Sequence, residues 1–294
     1  MAITAPLVKE LRERTGLGMM DCKRALEETD GDLEQAIEEL RKKSALKAAK
    51  KAGRTTADGL LGVKVSADGT KAAIVEINIE TDFAAMNEKF IAFVDKTLNL
   101  VFDSADGDLQ AILADGLDAE RETLVQEIGE NITIRRGQIM TSDAGGIATY
   151  VHGDNRKAAL VQLSVSAPEV ARDIAMHVTA MSPMVVSSSD VPADTLAKER
   201  EIYTTQAQDS GKPDEIIVKM VEGRVRKYLA EVSLVDQPFV KDPNQKVGAL
   251  AESAGAEVVS FIRYEVGEGI EVDSTDFAAE VAAQLGDSDN DSSQ

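Results

Sequence analysis

Apolar residues at helical spacing mark three helices in the first 52 residues of the chain. Thr4 can cap the first helix, which ends at a Thr-Gly-Leu-Gly break, and the second begins near Met19. Asp32 with Gln35 resembles a capping box for the third. The inward stripe of the third helix consists of Leu33, Ala36, Ile37 and Leu40. Because three short helices supply only a small core, we expect a small, hinged N-terminal unit.

Two later segments share one pattern of apolar and polar positions. Residues 62–79 and 148–165 align without gaps at an offset of 86 positions, including a Lys-Ala-Ala triplet in each. Alternating apolar positions on either side of a polar, Asp-containing stretch predict a β-hairpin in both, and helical patterns follow over 81–100 and 168–181. We therefore predict an α+β protein whose core has two pseudo-symmetric halves, each a small antiparallel sheet with helices.

The remaining pattern completes the domain organisation. It predicts a helix over 117–128, strands over 132–140 and 258–266, and a last helix over 275–285. Residues 191–232 predict two helices joined by a Ser-Gly-Lys-Pro turn, a helical hairpin inserted into the second half. The predicted divisions are a three-helix domain (1–54), a first core half (55–140), a second core half with the hairpin (141–274), and a C-terminal helix with a disordered acidic tail (275–294).

Charge narrows the classes of function. The chain has 32 basic and 52 acidic side chains, a formal net charge of -20, and such a surface repels nucleic-acid phosphates. Residues 41–54 are the exception, with seven basic side chains and no acidic one. This run fits a helix end followed by a linker, or a contact with an acidic partner surface or RNA, and both interpretations stay open. Since no signal-peptide or membrane-spanning pattern is present, we expect a soluble cytoplasmic protein without membrane contact.

Carboxylates are abundant in this sequence but do not by themselves indicate an acid–base pair, and cysteine and histidine are scarce. Cys22 is the only cysteine and lies on the inner face of a predicted helix, where an inert packing role is favoured. His152 and His177 are the only histidines, and His177 falls within a helical stretch. No nucleophile elbow, phosphate-binding loop, dinucleotide fingerprint or zinc motif is present. The sequence thus predicts a protein that is not an enzyme and that requires no metal or cofactor.

The two repeats differ where the second strand of each hairpin meets the following helix. In the first repeat Thr81, Asp82, Phe83 and Ala84 open the helix, whereas the second repeat reads Ala-Pro-Glu-Val there. Thr81 or Asp82 can cap the helix, which places Phe83 in its first turn. A first-turn ring can fold back onto its own sheet, or a capped turn can hold it outward as an aromatic wedge. The spacing leaves both arrangements open.

Two runs of the sequence resemble signatures of the bacterial elongation factor Ts family. Residues 11–26, LRERTGLGMMDCKRAL, are similar to its N-terminal signature, and residues 76–83, EINIETDF, to its second. Ala84 and Ile79 depart from the residues that are commoner at those positions of the family. Shorter similarities extend over residues 128–132, 150–153, 210–213, 265–270 and 275–281.

The resemblance implies a guanine-nucleotide exchange factor that binds elongation factor Tu in its GDP-bound and nucleotide-free forms during translation. It implies a ubiquitin-associated-like N-terminal domain that docks on the nucleotide-binding domain of the partner through Arg12, Met19 and Met20. The turn of Thr81, Asp82, Phe83 and Ala84 is implied to insert near the partner's magnesium site. Further residues implied near this interface are Ile128, Gly129, Glu130, Asn131 and His152.

Two other classes of function remain as alternatives. One is a protein-interaction scaffold without exchange activity, which would use the ubiquitin-associated-like domain as a helix-groove binder. The other is an RNA-binding translation accessory that would use residues 41–54. The helical hairpin fits self-association as a homodimer, a contact with the partner, or both.

Overall fold

A computed structural model of the chain describes residues 3–209 and 212–271. Its first elements are the helices α1 (Ala5–Thr15), α2 (Met19–Glu28) and α3 (Leu33–Lys51). Gly16 ends α1 with a φ of 73°, a left-handed conformation that glycine adopts without strain. Cys22 is fully buried at the centre of this three-helix core, as predicted. The apolar residues packed around it include Leu11, Leu17, Leu26 and Leu40.

The third helix is longer than its apolar stripe indicates, because small residues extend its buried face beyond Leu40. Ser44 and Ala48 are buried where α3 packs against α7 (Asp118–Ile128). The Ser44 hydroxyl donates to Gln126 Oε1 at 2.6 Å. Most of the basic run is thus one end of a helix that joins the N-terminal helices to the first core half. The domain boundary at residue 54 stays a prediction.

Two three-stranded antiparallel sheets form the core. Their strands are β1 (Asp58–Val65), β2 (Lys71–Ile79), β3 (Ile132–Thr141), β4 (Ile147–Val151), β5 (Lys157–Leu163) and β8 (Val258–Glu265). The first sheet has the strand order β1-β2-β3 and the second β4-β5-β8. Helix α5 (Glu88–Asp103) packs on the first sheet and α8 (Pro168–Met181) on the second. This arrangement confirms the predicted α+β class with two similar halves.

The register of the two hairpins follows the 86-residue offset of the sequence repeat. Gly62 lies opposite Val75 in the first sheet, and Ala148 lies opposite Val161 in the second. A bulge interrupts the pairing of β2 with β3 after Glu76, and the equivalent bulge follows Gln162 in β5. The repeat therefore extends from sequence to strand pairing and to the position of an irregularity.

Each half also bonds to the other in an equivalent way. Leu61 N donates to Asn155 O at 2.9 Å, and Ile147 N donates to Gly69 O at 3.1 Å. Each bond joins the first strand of one half to the hairpin turn of the other half, and donors and acceptors are again 86 residues apart. One apolar core contains residues of both sheets. Its members include residues at equivalent positions of the two halves, namely Leu61 and Ile147, Ala72 and Ala158, and Ile74 and Leu160.

The structure differs from the predicted helix over residues 81–100, which is two helices. A short helix α4 (Asp82–Ala85) has Met86 as its C-cap, and Asn87 then caps α5 by accepting from Lys89 N at 2.9 Å. An asparagine side chain favours this role because its oxygen satisfies a free amide at the helix start. The remaining helix of this half is α6 (Leu109–Ile112).

The predicted helical hairpin is formed by α9 (Ala193–Gln208) and α10 (Asp214–Val232). The two helices pack through Ala207, Ile217, Val221 and Val225. After it come β6 (Pro238–Phe239), β7 (Asp242–Lys246) and α11 (Val247–Ser253). Two residues of the predicted turn, 210 and 211, and the predicted helix and acidic tail from residue 275 onward lie outside the described residues. Within the described ranges, no helix combines the length and apolarity that a bilayer span requires.

The buried His177 provides a pH-dependent contribution to stability. Its Nδ1 accepts from Val240 N at 3.1 Å, so the neutral ring carries its proton on Nε2 and donates to Gln237 Oε1 at 2.8 Å. Burial lowers the pKa of His177 below 6.5, against an opposing effect of the Gln237 hydrogen bond. As pH falls, the unfolded chain therefore binds this proton more readily than the folded protein does. The free energy of unfolding decreases below about pH 6.5 as a result.

We expect His177→Asn to remove this part of the pH dependence. Urea unfolding at about pH 7.5 and about pH 5.5 gives a difference in the free energy of unfolding for each protein. That difference should be smaller in the variant than in the parent, whatever the variant's absolute stability. Equal differences would contradict the proposed role of the neutral ring.

Candidate partner-binding site

The turn that connects β2 to α4 is fixed by its own hydrogen bonds. Thr81 is extended and caps α4, and its hydroxyl accepts from Ala84 N at 3.2 Å. Asp82 Oδ1 accepts from Phe83 N at 2.9 Å. These bonds satisfy amides that the first turn of a helix otherwise leaves free. The predicted capping role of Thr81 is therefore observed in the structure.

The ring of Phe83 points to solvent and is 79% exposed. On the opposite side of the same turn, Ala84 and Ala85 are buried among the apolar residues of the first core half, which include Phe90. Of the two arrangements that the spacing left open, the structure has the outward one. The exposed fraction of Phe83 is the largest among the large apolar side chains of the described residues, which makes the ring a candidate contact with another molecule.

Met86 is a candidate contact residue that the sequence reasoning missed. It follows Phe83 by three positions and is 65% exposed. Residues three apart on a helical turn lie on the same face, so the ring and the thioether belong to one apolar surface. The Phe-x-x-Met spacing contained this signal. We call Phe83 and Met86 the apolar tip.

Glu130 and Asn131 hold this turn from the side of α7. The Glu130 carboxylate accepts from Thr81 N at 3.0 Å and from Thr81 Oγ1 at 2.8 Å. In return, Asn131 N donates to Glu80 Oε1 at 2.5 Å. Two neighbouring residues on each segment thus exchange hydrogen bonds.

Three residues predicted near the partner interface differ in how far they are exposed to solvent. Asn131 is 3% exposed, and its amide donates to Arg54 O at 3.0 Å and to Ala52 O at 3.5 Å. Gly129 is exposed and ends α7 with a φ of 89°, and Lys51 donates to its carbonyl. Ile128 is half-buried against the first core.

The N-terminal helices present a second apolar surface. Met19 and Met20 open α2 and are 58% and 64% exposed. Arg12 is exposed in the last turn of α1. The opposite face of α2 is buried through Cys22, Ala25 and Leu26. Because the methionines are excluded from this core, they are available to a partner.

Contacts place this second surface close to the start of α5. Lys89, in the first turn of α5, donates to Glu127 Oε2 at 2.6 Å and lies 3.5 Å from Gly16 O. Gly16 belongs to the loop that leads into Met19, and α5 begins at Glu88, two residues after Met86. The loop before the methionines and the segment after the apolar tip are therefore joined through Lys89.

His152 lies in the turn between β4 and β5. It is exposed, and its Nδ1 is 3.1 Å from Asp154 Oδ1. The N–H of Arg156 lowers the pKa of the Asp154 carboxyl, against a smaller effect of burial. Arg156 also pairs with Asp58, which lies opposite Ile79 in the sheet. His152 thus occupies a turn next to the end of β2 from which the capped turn emerges.

The arrangement offers binding groups rather than reacting ones. Its outward side chains are an aromatic ring, three thioethers and a guanidinium, which contribute apolar contact area and charge. Within the described part of the chain, no group of His, Cys, Asp or Glu side chains has the arrangement that holds a metal ion.

Comparison with known proteins assigns the family. The family model described as Elongation factor TS matches residues 80–268. Elongation factor Ts of Hahella chejuensis is 57% identical over 284 residues, which cover 97% of this chain and 99% of that protein. Elongation factor Ts of Saccharophagus degradans is 56% identical over 285 residues, 97% and 98% of the two chains. With a family match over most of its length and relatives more than half identical, the chain belongs to the elongation factor Ts family.

Proposed function

We propose that this translation elongation factor binds elongation factor Tu in its GDP-bound form and promotes the release of GDP, after which GTP can bind. In this proposal the capped turn of Thr81, Asp82 and Phe83 inserts near the magnesium and nucleotide site of the partner. The observation that carries the proposal is the outward ring of Phe83 on a turn fixed by hydrogen bonds. The protein acts by binding and catalyses no chemical reaction.

The physical requirement for exchange is a difference in affinity. The factor must bind the empty partner more tightly than the GDP-bound partner, and by linkage it then weakens GDP binding by the same ratio. A 10⁴-fold effect corresponds to about 5.5 kcal/mol. Displacement of the groups that hold magnesium would weaken GDP binding, because the ion offsets the phosphate charge.

The Phe83 ring supplies only part of this free energy. Burial of one phenyl ring contributes about 2–3 kcal/mol, which is less than the total required. We assign the remainder to the N-terminal surface and to the core. In this division of roles, Arg12, Met19 and Met20 hold the partner while Phe83 disturbs its metal site.

Release of a fluorescent GDP from elongation factor Tu tests the proposal. Added protein should accelerate the release strongly when unlabelled nucleotide is in excess. A scaffold of the ubiquitin-associated-like kind would bind elongation factor Tu without changing the release rate, and that result would reject the exchange function. The release rate separates the two functions wherever on the partner the protein docks.

We expect the double substitution Met19→Ser, Met20→Ser to weaken docking. Loss of two apolar contacts should raise the factor concentration that gives half-maximal release by about tenfold or more, while the maximal rate changes little. Both side chains are exposed, so the melting temperature should be unchanged. A lower maximal rate at unchanged half-saturation would contradict the division of roles.

RNA binding through residues 41–54 is less well supported, because much of the basic charge is paired within the chain. Lys42 pairs with Glu38 and Glu39, and Lys43 pairs with Glu28. Lys51 donates to the Gly129 carbonyl, and Arg54 pairs with Glu80. These contacts favour the helix-end interpretation. Self-association through the helical hairpin and a cytoplasmic location stay predictions.

A further inference from the structure

We infer that Glu130 and Asn131 are positioning residues that hold the turn carrying Phe83 and connect it to the end of the N-terminal helices. The sequence resemblance instead implies that they lie at the partner interface. This inference rests on the proposed function, since it explains how the ring is kept in an active position.

The turn that carries Phe83 gains little stability from its own helix. Helix α4 has four residues, which is far too short to be stable alone in water. An exposed ring on such a turn would sample many orientations and would lose conformational entropy on binding. The turn therefore needs support from outside the helix.

Glu130 provides that support through both carboxylate oxygens. One accepts from Thr81 N and the other from Thr81 Oγ1. Hydrogen bonds to a carboxylate are stronger than those between neutral groups. Because the Thr81 hydroxyl donates to Glu130, its lone pairs face Ala84 N, whose bond closes the first turn around Phe83. The orientation of the ring thus depends on Glu130 through Thr81.

Asn131 extends the support to the N-terminal helices. Its backbone N–H donates to Glu80, the residue before the turn. Its buried side chain donates to the carbonyls of Ala52 and Arg54, directly after α3. With its amide committed to these carbonyls, Asn131 connects the chain that leaves α3 to the chain that enters the turn.

Residues 129–131 also bond to the end of α3. Lys51, the last residue of α3, donates to the Gly129 carbonyl. The end of α3 and the base of the turn are therefore bonded to the same three residues. A partner docked on the N-terminal surface would consequently meet Phe83 in a fixed relation to that surface.

A double-mutant cycle tests the role of Glu130. Glu130→Ala should lower the maximal rate of GDP release by about tenfold or more, since bonds to a charged group are lost. The factor concentration that gives half-maximal release should change less. In a protein that already carries Phe83→Ala, the same substitution should change the rate by less than about twofold, because the ring on which it acts is absent. Glu130→Gln, which keeps one carbonyl acceptor, should give an intermediate rate.

Controls separate this inference from the proposed function. Glu122→Ala removes an equal charge from α7 and should leave the release rate unchanged. Melting temperatures of the variants identify any loss of folding. Equal effects of Glu130→Ala with and without the Phe83 ring would show a direct partner contact and would overturn the inference. If Phe83→Ala alone released GDP at the parent rate, the proposed function itself would fail.

Discussion

Phe83→Ala should slow factor-dependent GDP release from elongation factor Tu by about thirtyfold to 150-fold. This range is the rate equivalent of the roughly 2–3 kcal/mol that burial of one phenyl ring provides. The free energy of unfolding should change by less than about 0.5 kcal/mol, because most of the Phe83 side chain is exposed to solvent. Stopped-flow release of a fluorescent GDP and urea unfolding measure the two quantities.

Leu100→Ala is the matched control for this substitution. Leu100 is an exposed apolar residue of α5, 12 positions beyond the first residue of that helix and so about 18 Å from it. With the Leu100→Ala variant, elongation factor Tu should release GDP at the same rate as with the parent protein. A similar loss in both variants would indicate a general effect of surface apolarity, and the specific role of Phe83 would be wrong.

Glu76→Ala should lower the free energy of unfolding by about 3–5 kcal/mol, as expected when a buried ion pair loses one partner. The carboxylate is fully buried and accepts from Arg135 Nη1 at 2.9 Å, Arg136 Nε at 2.5 Å and Gly267 N at 2.9 Å. It therefore joins the first sheet to the segment that follows β8. Urea unfolding measures the change.

The pseudo-symmetry of the core provides the control for Glu76. Gln162 occupies the equivalent position, 86 residues later and next to the equivalent bulge, but it is only half-buried, and its amide oxygen accepts from the uncharged Ser260 hydroxyl at 3.1 Å. Gln162→Ala should cost less than about 1 kcal/mol. A comparable cost at both positions would mean that the fold, and not the buried charge, determines the loss.

The stabilising effect of Glu76 also depends on pH. Burial raises the pKa of this carboxyl, but the Gly267 amide and the two guanidinium groups lower it more, so it lies below 4.5. Its contribution is therefore present above about pH 4.5 and is lost as pH falls through the lower folded value. Glu76→Gln should lose this acid-dependent part while keeping the shape of the side chain.

Features of the fold that are determined by local sequence, such as hairpins and helix caps, could be predicted. The two hairpins share alternation and turn chemistry, so the alignment predicted two equivalent hairpins, and the equivalent Gly62–Val75 and Ala148–Val161 pairs agree with that prediction. Thr81 could be predicted as a cap because threonine favours that position. These features depend on residues close together in the chain.

Features that depend on distant residues could not be predicted in the same way. The bond from Thr81 to Glu130 joins positions 49 residues apart, and no periodicity relates them. The outward direction of Phe83 depends on Ala84 and Ala85, whose small side chains fill the core side of the turn. Packing of Ser44 on Gln126 likewise requires the tertiary arrangement of α3 and α7.

The dependence of exchange on magnesium tests the central claim most directly. GDP release should be measured with the parent protein and with Phe83→Ala, in magnesium buffer and after chelation of the ion. If the ring acts by disturbing the metal site, the parent should be faster than the variant with magnesium, and the two rates should converge without it. An equal ratio of the two rates in both buffers would contradict the account.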